Sequence, residues 1–179
     1  WCGGSIKNKM NIIFLTISRI WEIRSRNIYA DLMRKFRDED HHVYIVTPYE
    51  RQFKLQTTLS KKDGVYILGV RTLNIQKTNV IEKGLGTILL ETQFNNAIKK
   101  HLNSVVFDLI LYSTPPITFT NVVKNLKKKN PQAFSYLLLK DIFPQNAVDL
   151  GMFSRSSLFY RYFRKKEIHL YRHSDYIGC

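Results

Sequence analysis

Between Leu137 and Gly151 the sequence changes character three times. Leu137-Leu138-Leu139 is apolar, Lys140-Asp141 is charged, Pro144 bars a continuing strand, and Gly151 closes what can be one short helix. An apolar run that stops at a charged pair reads as a buried parallel strand delivering Lys140 and Asp141 to its carboxyl end. Open α/β sheets bind their ligands at those ends. The segment therefore constrains both the fold and the place where function should sit.

The rest of the chain repeats the same alternation. Asn11 to Thr16 is a β-branched apolar run and reads as a first buried strand. A helix is expected from about Asn27 to Arg37, with Ile28, Leu32 and Phe36 on one stripe. Acids at Asp38-Glu39-Asp40 oppose the helix dipole and should stop it. Further strands are expected over His41 to Pro48, Gly64 to Thr72, Val105 to Tyr112 and Ala133 to Lys140. Pro48 should end its strand, because proline cannot continue a central ladder. The polar stretch from Tyr49 to Asp63 reads as a loop or a short helix. Helices are expected at about Thr87 to Leu102, Thr118 to Lys129 and Ser156 to His173. The fold class is α/β: a Rossmann-like open parallel sheet of at least five strands with helices on both faces. Asp175 to Cys179 looks like the opening of another strand, so the chain reads as a piece of a longer protein. Met10 starts the strand pattern. Residues 1–9 form a leader of uncertain origin and 10–179 one domain.

Several chemistries are disfavoured by what is missing. Gly84 and Gly86 give only a GxG, better explained as a helix start than as a dinucleotide fingerprint. There is no GxxxxGK[ST] and no GxSxG elbow. Cys2 and Cys179 have no ligand-like spacing, so neither zinc nor a disulfide framework is supported, and a reducing cytoplasm is the simplest compartment. His41, His42, His101, His169 and His173 fall before a strand or on helices, where a solvated or half-buried histidine is the ordinary case.

Other residues point toward ligands. The formal charge is +14, and Lys124 to Arg172 holds eleven Lys/Arg against three Asp/Glu. Such a balance fits an anionic partner, or a well-solvated surface. Ser113-Thr114-Pro115-Pro116 leaves the fourth strand with two hydroxyls and a stiff backbone. Those hydroxyls either face a cleft, to bind sugar hydroxyls or phosphate, or satisfy local backbone. Asp141 either caps the following helix or meets a substrate hydroxyl, and Lys140 is a candidate phosphate partner. From Ser156 to His173, Phe159, Tyr162, Phe163 and Leu170 share one helical face, while Arg161, Arg164, Lys165 and Arg172 share another. A basic aromatic helix of this kind either lies on an anionic membrane or packs its aromatic face on the sheet.

Taken together, these residues resemble the amino-terminal domain of family 4 glycosyltransferases of the GT-B class, in the bacterial surface-polysaccharide branch. The resemblance covers about residues 10–179. It rests on Asn11 to Thr16, Asp38 to Pro48, Asp108 to Pro116, and above all Leu139-Lys140-Asp141-Ile142-Phe143-Pro144-Gln145-Asn146-Ala147. That last segment is similar to the family's RD-(L/I)-W-P-E-S, with lysine for arginine and phenylalanine for tryptophan. His173-Ser174-Asp175-Tyr176-Ile177 is similar to the family's AD-x-I segment.

The resemblance implies sugar transfer from a nucleotide sugar to an acceptor hydroxyl, with retention and without a bound metal or other cofactor. It implies Asp141 as the catalytic residue and Arg19, Arg24, Ser113, Thr114 and Lys140 as substrate contacts. Where relatives carry a glycine pair, Ser18 to Arg26 has none, so Arg19 and Arg24 would supply the charge. A lipid-linked acceptor would place the protein in the cytoplasm at the inner face of the membrane, with Arg161, Arg164 and Lys165 in contact. The carboxyl-terminal domain with its E-x7-E pair is not in these residues, so the chain alone is expected to be inactive. A nucleotide-sugar epimerase and a non-catalytic basic module are the alternatives. Nucleic acid is not expected as a partner, because no recognised motif for it occurs.

Overall fold

The computed structural model describes residues 9–75, 80–114, 119–140, 142–151 and 154–178. Its strands are β1 (Asn11–Leu15), β2 (His42–Glu50), β3 (Thr58–Lys62), β4 (Val65–Thr72), β5 (Leu109–Ser113), β6 (Phe134–Leu138) and β7 (Tyr176–Gly178). Its helices are α1 (Ile28–Asp38), α2 (Val80–His101), α3 (Thr120–Lys129), α4 (Gln145–Asp149) and α5 (Leu158–Arg172). The strands form one sheet in the order β3-β4-β2-β1-β5-β6-β7. Every pairing is parallel except β3 with β4. The Rossmann-like α/β class expected from the sequence is the class observed.

Side-chain alternation along β1 divides the core. Ile13 and Leu15 face a layer holding Phe94 of α2, Val122 and Val123 of α3, and Leu170 of α5. Ile12 and Phe14 face the opposite layer, where Met33 of α1 packs with Ile20 and Ile23. All four β1 side chains are fully buried. A strand covered on both faces needs an unbroken apolar run, which is what Ile12 to Leu15 supplies. Each such burial contributes roughly 1.5–3 kcal/mol. Asn27 starts α1 by accepting from the backbone N–H groups of Tyr29 and Ala30, and Ser157 starts α5 by accepting from Tyr160.

Four expectations are corrected. First, β2 runs through Pro48 to Glu50, because its neighbour β1 ends at the Leu15–Val46 pair. Beyond that point β2 has a partner only in β4, and proline is tolerated on an edge. Second, the polar stretch from Tyr49 to Asp63 contains β3, which pairs antiparallel to β4 through a turn at Asp63 and Gly64 with φ of 49° and 82°. Third, α2 starts at Val80 and runs through Gly84 and Gly86. A Cβ at Gly86 would stand 2.9 Å from Ile75 and 3.1 Å from the Asn74 carbonyl, so this glycine admits close approach of helix and loop. Fourth, the aromatic face of α5 splits: Phe163 and Leu170 pack inward, while Phe159 and Tyr162 are exposed.

Candidate active site at the carboxyl edge of the sheet

From β1 the chain passes to β2 on one side, and later returns to add β5 on the other. The carboxyl ends of β1 and β5 therefore flank a switch point, where connections diverge and leave a crevice. Thr16 follows β1, and Ser113 and Thr114 close β5. All three are buried. The Ser113 hydroxyl donates to Thr16 Oγ1 at 3.3 Å, and the Ser18 N–H donates to the same oxygen at 3.0 Å. Thr114 Oγ1 accepts from the Lys140 N–H at 3.1 Å, while the Thr114 N–H donates to the Leu138 carbonyl at 3.1 Å. The Thr114 hydroxyl thus satisfies a backbone N–H and the Ser113 hydroxyl a neighbouring side chain, at the switch point. Lys140 is exposed beside them at the end of β6. Asp141 and residues 115–118 lie outside the described residues.

Arg19 and Arg24, both in the loop after β1, go different ways. Arg19 donates Nε and Nη2 to Glu50 Oε1, at 3.1 and 2.9 Å, and its guanidinium lies 4.7 Å from the centre of the Phe53 ring. Glu50 is fully buried at the end of β2 and also accepts from Gln52 and from the Ile75 N–H. One carboxylate thus ties three loops at the carboxyl edge. Trp21 meets Tyr49 and Phe53 edge-on, with centroids 5.4 and 5.0 Å away. Arg24 does not join this group. Burial of Ile20 and Ile23 draws the loop down along the α1 layer, and Arg24 Nε donates to Asp63 Oδ1 at 2.7 Å. Asp63 precedes β4, so Arg24 stands at the amino edge, away from the crevice.

In the first turn of the helix that follows β5, a carboxylate already takes one backbone N–H. Glu91 of α2 accepts from the backbone N–H and the Nδ2 of Asn121, in the first turn of α3. Lys166 Nζ lies 3.5 Å from the same carboxylate. The positive end of α3 is therefore already answered by a carboxylate.

On α5, Arg161 and Lys165 are exposed. Arg164 is exposed as well, but it pairs with the buried Glu167, which also accepts from the Tyr171 hydroxyl at 2.8 Å. That hydrogen bond holds Arg164 more firmly in its charged form. A shallow hollow of about 490 Å³ lies on this face, lined by Arg155, Arg161, Arg164, Lys165, His169 and Arg172 among others. Behind it, burial pushes the Tyr112 hydroxyl up to about 12, so it stays protonated where it meets Ser174 at 2.6 Å. Among the described residues no three His, Cys, Asp or Glu side chains stand together as a metal site would need, and no helix is long and apolar enough to cross a membrane.

The sequence places Ser113, Thr114 and Lys140 at this edge, where the structure has them, but does not single out Thr16, Glu50 or the Trp21–Tyr49–Phe53 cluster. Thr16 was within reach, as the first hydroxyl after the first strand of an α/β pattern. The Arg19–Glu50 pair spans 31 residues, and no local signal announces it.

No family model and no curated protein matches the sequence. A solved structure does: "Trehalose-6-phosphate from E. coli bound with UDP-2-fluoro glucose" aligns with a TM-score of 0.60 at 8% identity, over 94% of this chain. The chain spans 39% of the length of that protein. At this identity the likeness establishes the fold, which is that of one half of a GT-B glycosyltransferase.

Proposed function

We propose that this chain is the acceptor-side half of a retaining glycosyltransferase. In this reading it transfers a sugar from a nucleotide sugar to a lipid-linked acceptor, in surface-polysaccharide synthesis at the inner face of the cytoplasmic membrane. The observation that carries the proposal is the set of buried hydroxyls at the β1/β5 switch point, within a sheet whose fold is half of a GT-B enzyme. Neutral hydroxyls suit an acceptor sugar, because they exchange hydrogen bonds with it without fixing a charge. Thr16, Ser113 and Thr114 orient the acceptor, and Lys140 meets its phosphate or that of the donor. Arg19, with one edge on Glu50, holds the rim and adds positive potential. Asp141, next in the chain after Lys140, accepts the proton of the attacking hydroxyl or positions it. Charge developing on the departing diphosphate needs cationic partners. Family 4 membership is part of the proposal and rests on the Leu139 to Ala147 segment.

The test is turnover of a panel of nucleotide sugars by the full-length protein, supplied with membrane lipid extract. Consumption of one donor, with retained configuration in the product, is expected. Interconversion of a nucleotide sugar without transfer would replace this reading with an epimerase.

A further inference from the structure

α5 is anchored by one face and unusual on the other. Phe163 packs against Phe143, with centroids 5.0 Å apart, Leu170 is fully buried, and Glu167 is nearly so. Outward, Leu158 is 78% exposed, Phe159 70% and Tyr162 47%. Water-facing leucine and phenylalanine side by side serve no packing role in the fold. Arg161, Tyr162 and Lys165 follow Leu158 at i+3, i+4 and i+7, so these four lie together along one side of the helix, and Arg155 precedes its first turn. Glu167 is the sole acid between Ser154 and His173, and it is buried. Exposed apolar bulk among unopposed cations matches a bilayer interface, where acyl chains take the first and lipid phosphates the second. A nucleic acid would use the cations but gain nothing from Leu158.

Topology adds a direction. β6 ends at the carboxyl edge and β7 begins at the amino edge, so α5 runs from the first to the second. Its apolar residues lie in its first turns, at the end of the sheet that carries the Thr16–Ser113–Thr114 crevice.

We infer that the first turns of α5 form a two-part anchor for an anionic bilayer. Leu158, Phe159 and Tyr162 enter the headgroup boundary, while Arg155, Arg161 and Lys165 hold lipid phosphates. Arg164 is not part of it, since its charge is committed to Glu167. This inference rests on the proposed lipid-linked acceptor for its purpose, but its test needs no sugar.

The test is sedimentation of the chain with vesicles of phosphatidylcholine alone, or with one-third phosphatidylglycerol, across a salt series. Binding should require phosphatidylglycerol and weaken with salt. Each cation is worth about fivefold in partitioning, so Arg161→Glu/Lys165→Glu should lower binding about 25-fold or more. Leu158→Ser/Phe159→Ser should lower binding by about tenfold and leave the melting temperature unchanged, because both side chains are exposed. Lys124→Glu/Lys128→Glu, the same charge change on exposed α3 positions, should leave binding near wild type. Equal loss from that control, no loss from the Leu158/Phe159 variant, equal binding to both vesicles, or binding to an RNA oligomer but to neither vesicle would each overturn the anchor. None of those results would touch the transferase reading, which turnover of nucleotide sugars decides separately.

Discussion

The two ends of the sheet are built from different chemistry. At the amino edge, carboxylates clip strand to strand. Asp108 Oδ2 accepts from the Asn11 N–H at 2.7 Å, joining β5 to β1. Asp175 Oδ2 accepts from the Ser135 N–H and hydroxyl, at 2.8 and 2.9 Å, and from Lys127 Nζ at 2.6 Å, joining β7, β6 and α3. Asp63 takes Arg24 with its carboxylate and Arg37 with its carbonyl. At the β1/β5 carboxyl edge, three buried neutral hydroxyls stand instead, and the fixed charge of Glu50 is set aside at the end of β2. Charge-assisted bonds lock a geometry strongly. Hydroxyls can trade one partner for another at little cost. The amino edge is held together by charge, and the proposed function assigns the ligand to the carboxyl edge.

That contrast can be broken from either end. The largest effect on stability should come from Asp175→Ala, which leaves the buried Ser135 N–H without its carboxylate acceptor and Lys127 with only the Ala133 carbonyl, and should cost about 2 kcal/mol. Burial alone would raise the Asp175 pKa, but the bonds from Lys127 and Ser135 outweigh it and hold the carboxyl below its usual value. Its contribution is therefore complete above the ordinary carboxylate range and is lost as pH falls through the lowered folded value. Urea midpoints between pH 6 and pH 2 should fall less steeply for Asp175→Asn than for the wild type. Parallel slopes would remove Asp175 from the account of the amino edge.

Arg24→Ala should do almost nothing, although the sequence placed Arg24 among the substrate contacts. Its side chain is 80% exposed, and surface pairs of this kind contribute about 0–1 kcal/mol. Turnover by the full-length enzyme should match the wild type within about twofold. A tenfold loss would put Arg24 back in the site and blur the division between the two edges.

How far the sequence could be read follows from the range of the interactions involved. The buried strands and the extent of α1 were legible because neighbouring residues carry the pattern, and Asn27 lies next to the helix it caps; the α1 stripe was read one position off, since Ala30 and Met33 are buried and Ile28 is exposed. β3 was missed because Thr58 to Lys62 is polar, as an exposed edge strand should be, although Asp63-Gly64 is a hairpin signal. Ser113, Thr114 and Lys140 were legible because strand ends are themselves a place in this fold class. Glu50 was not, since its meaning depends on Arg19 and Ile75, which only the folded chain brings to it. Arg24 was misplaced because burial of Ile20 and Ile23, and not local charge, decides the path of its loop.

The most direct test of the central claim is the Ser113→Ala/Thr114→Val double variant of the full-length protein, compared with the wild type for nucleotide-sugar turnover and thermal melting. Both changes keep the shape of the site and remove two of its three hydroxyls. If the carboxyl edge receives the acceptor, kcat/KM should fall at least about tenfold, equivalent to about 1.4 kcal/mol of lost transition-state binding, while stability drops by about 1 kcal/mol for the Lys140 bond. Unchanged kcat/KM in a folded variant would contradict the account and leave these hydroxyls as backbone partners alone.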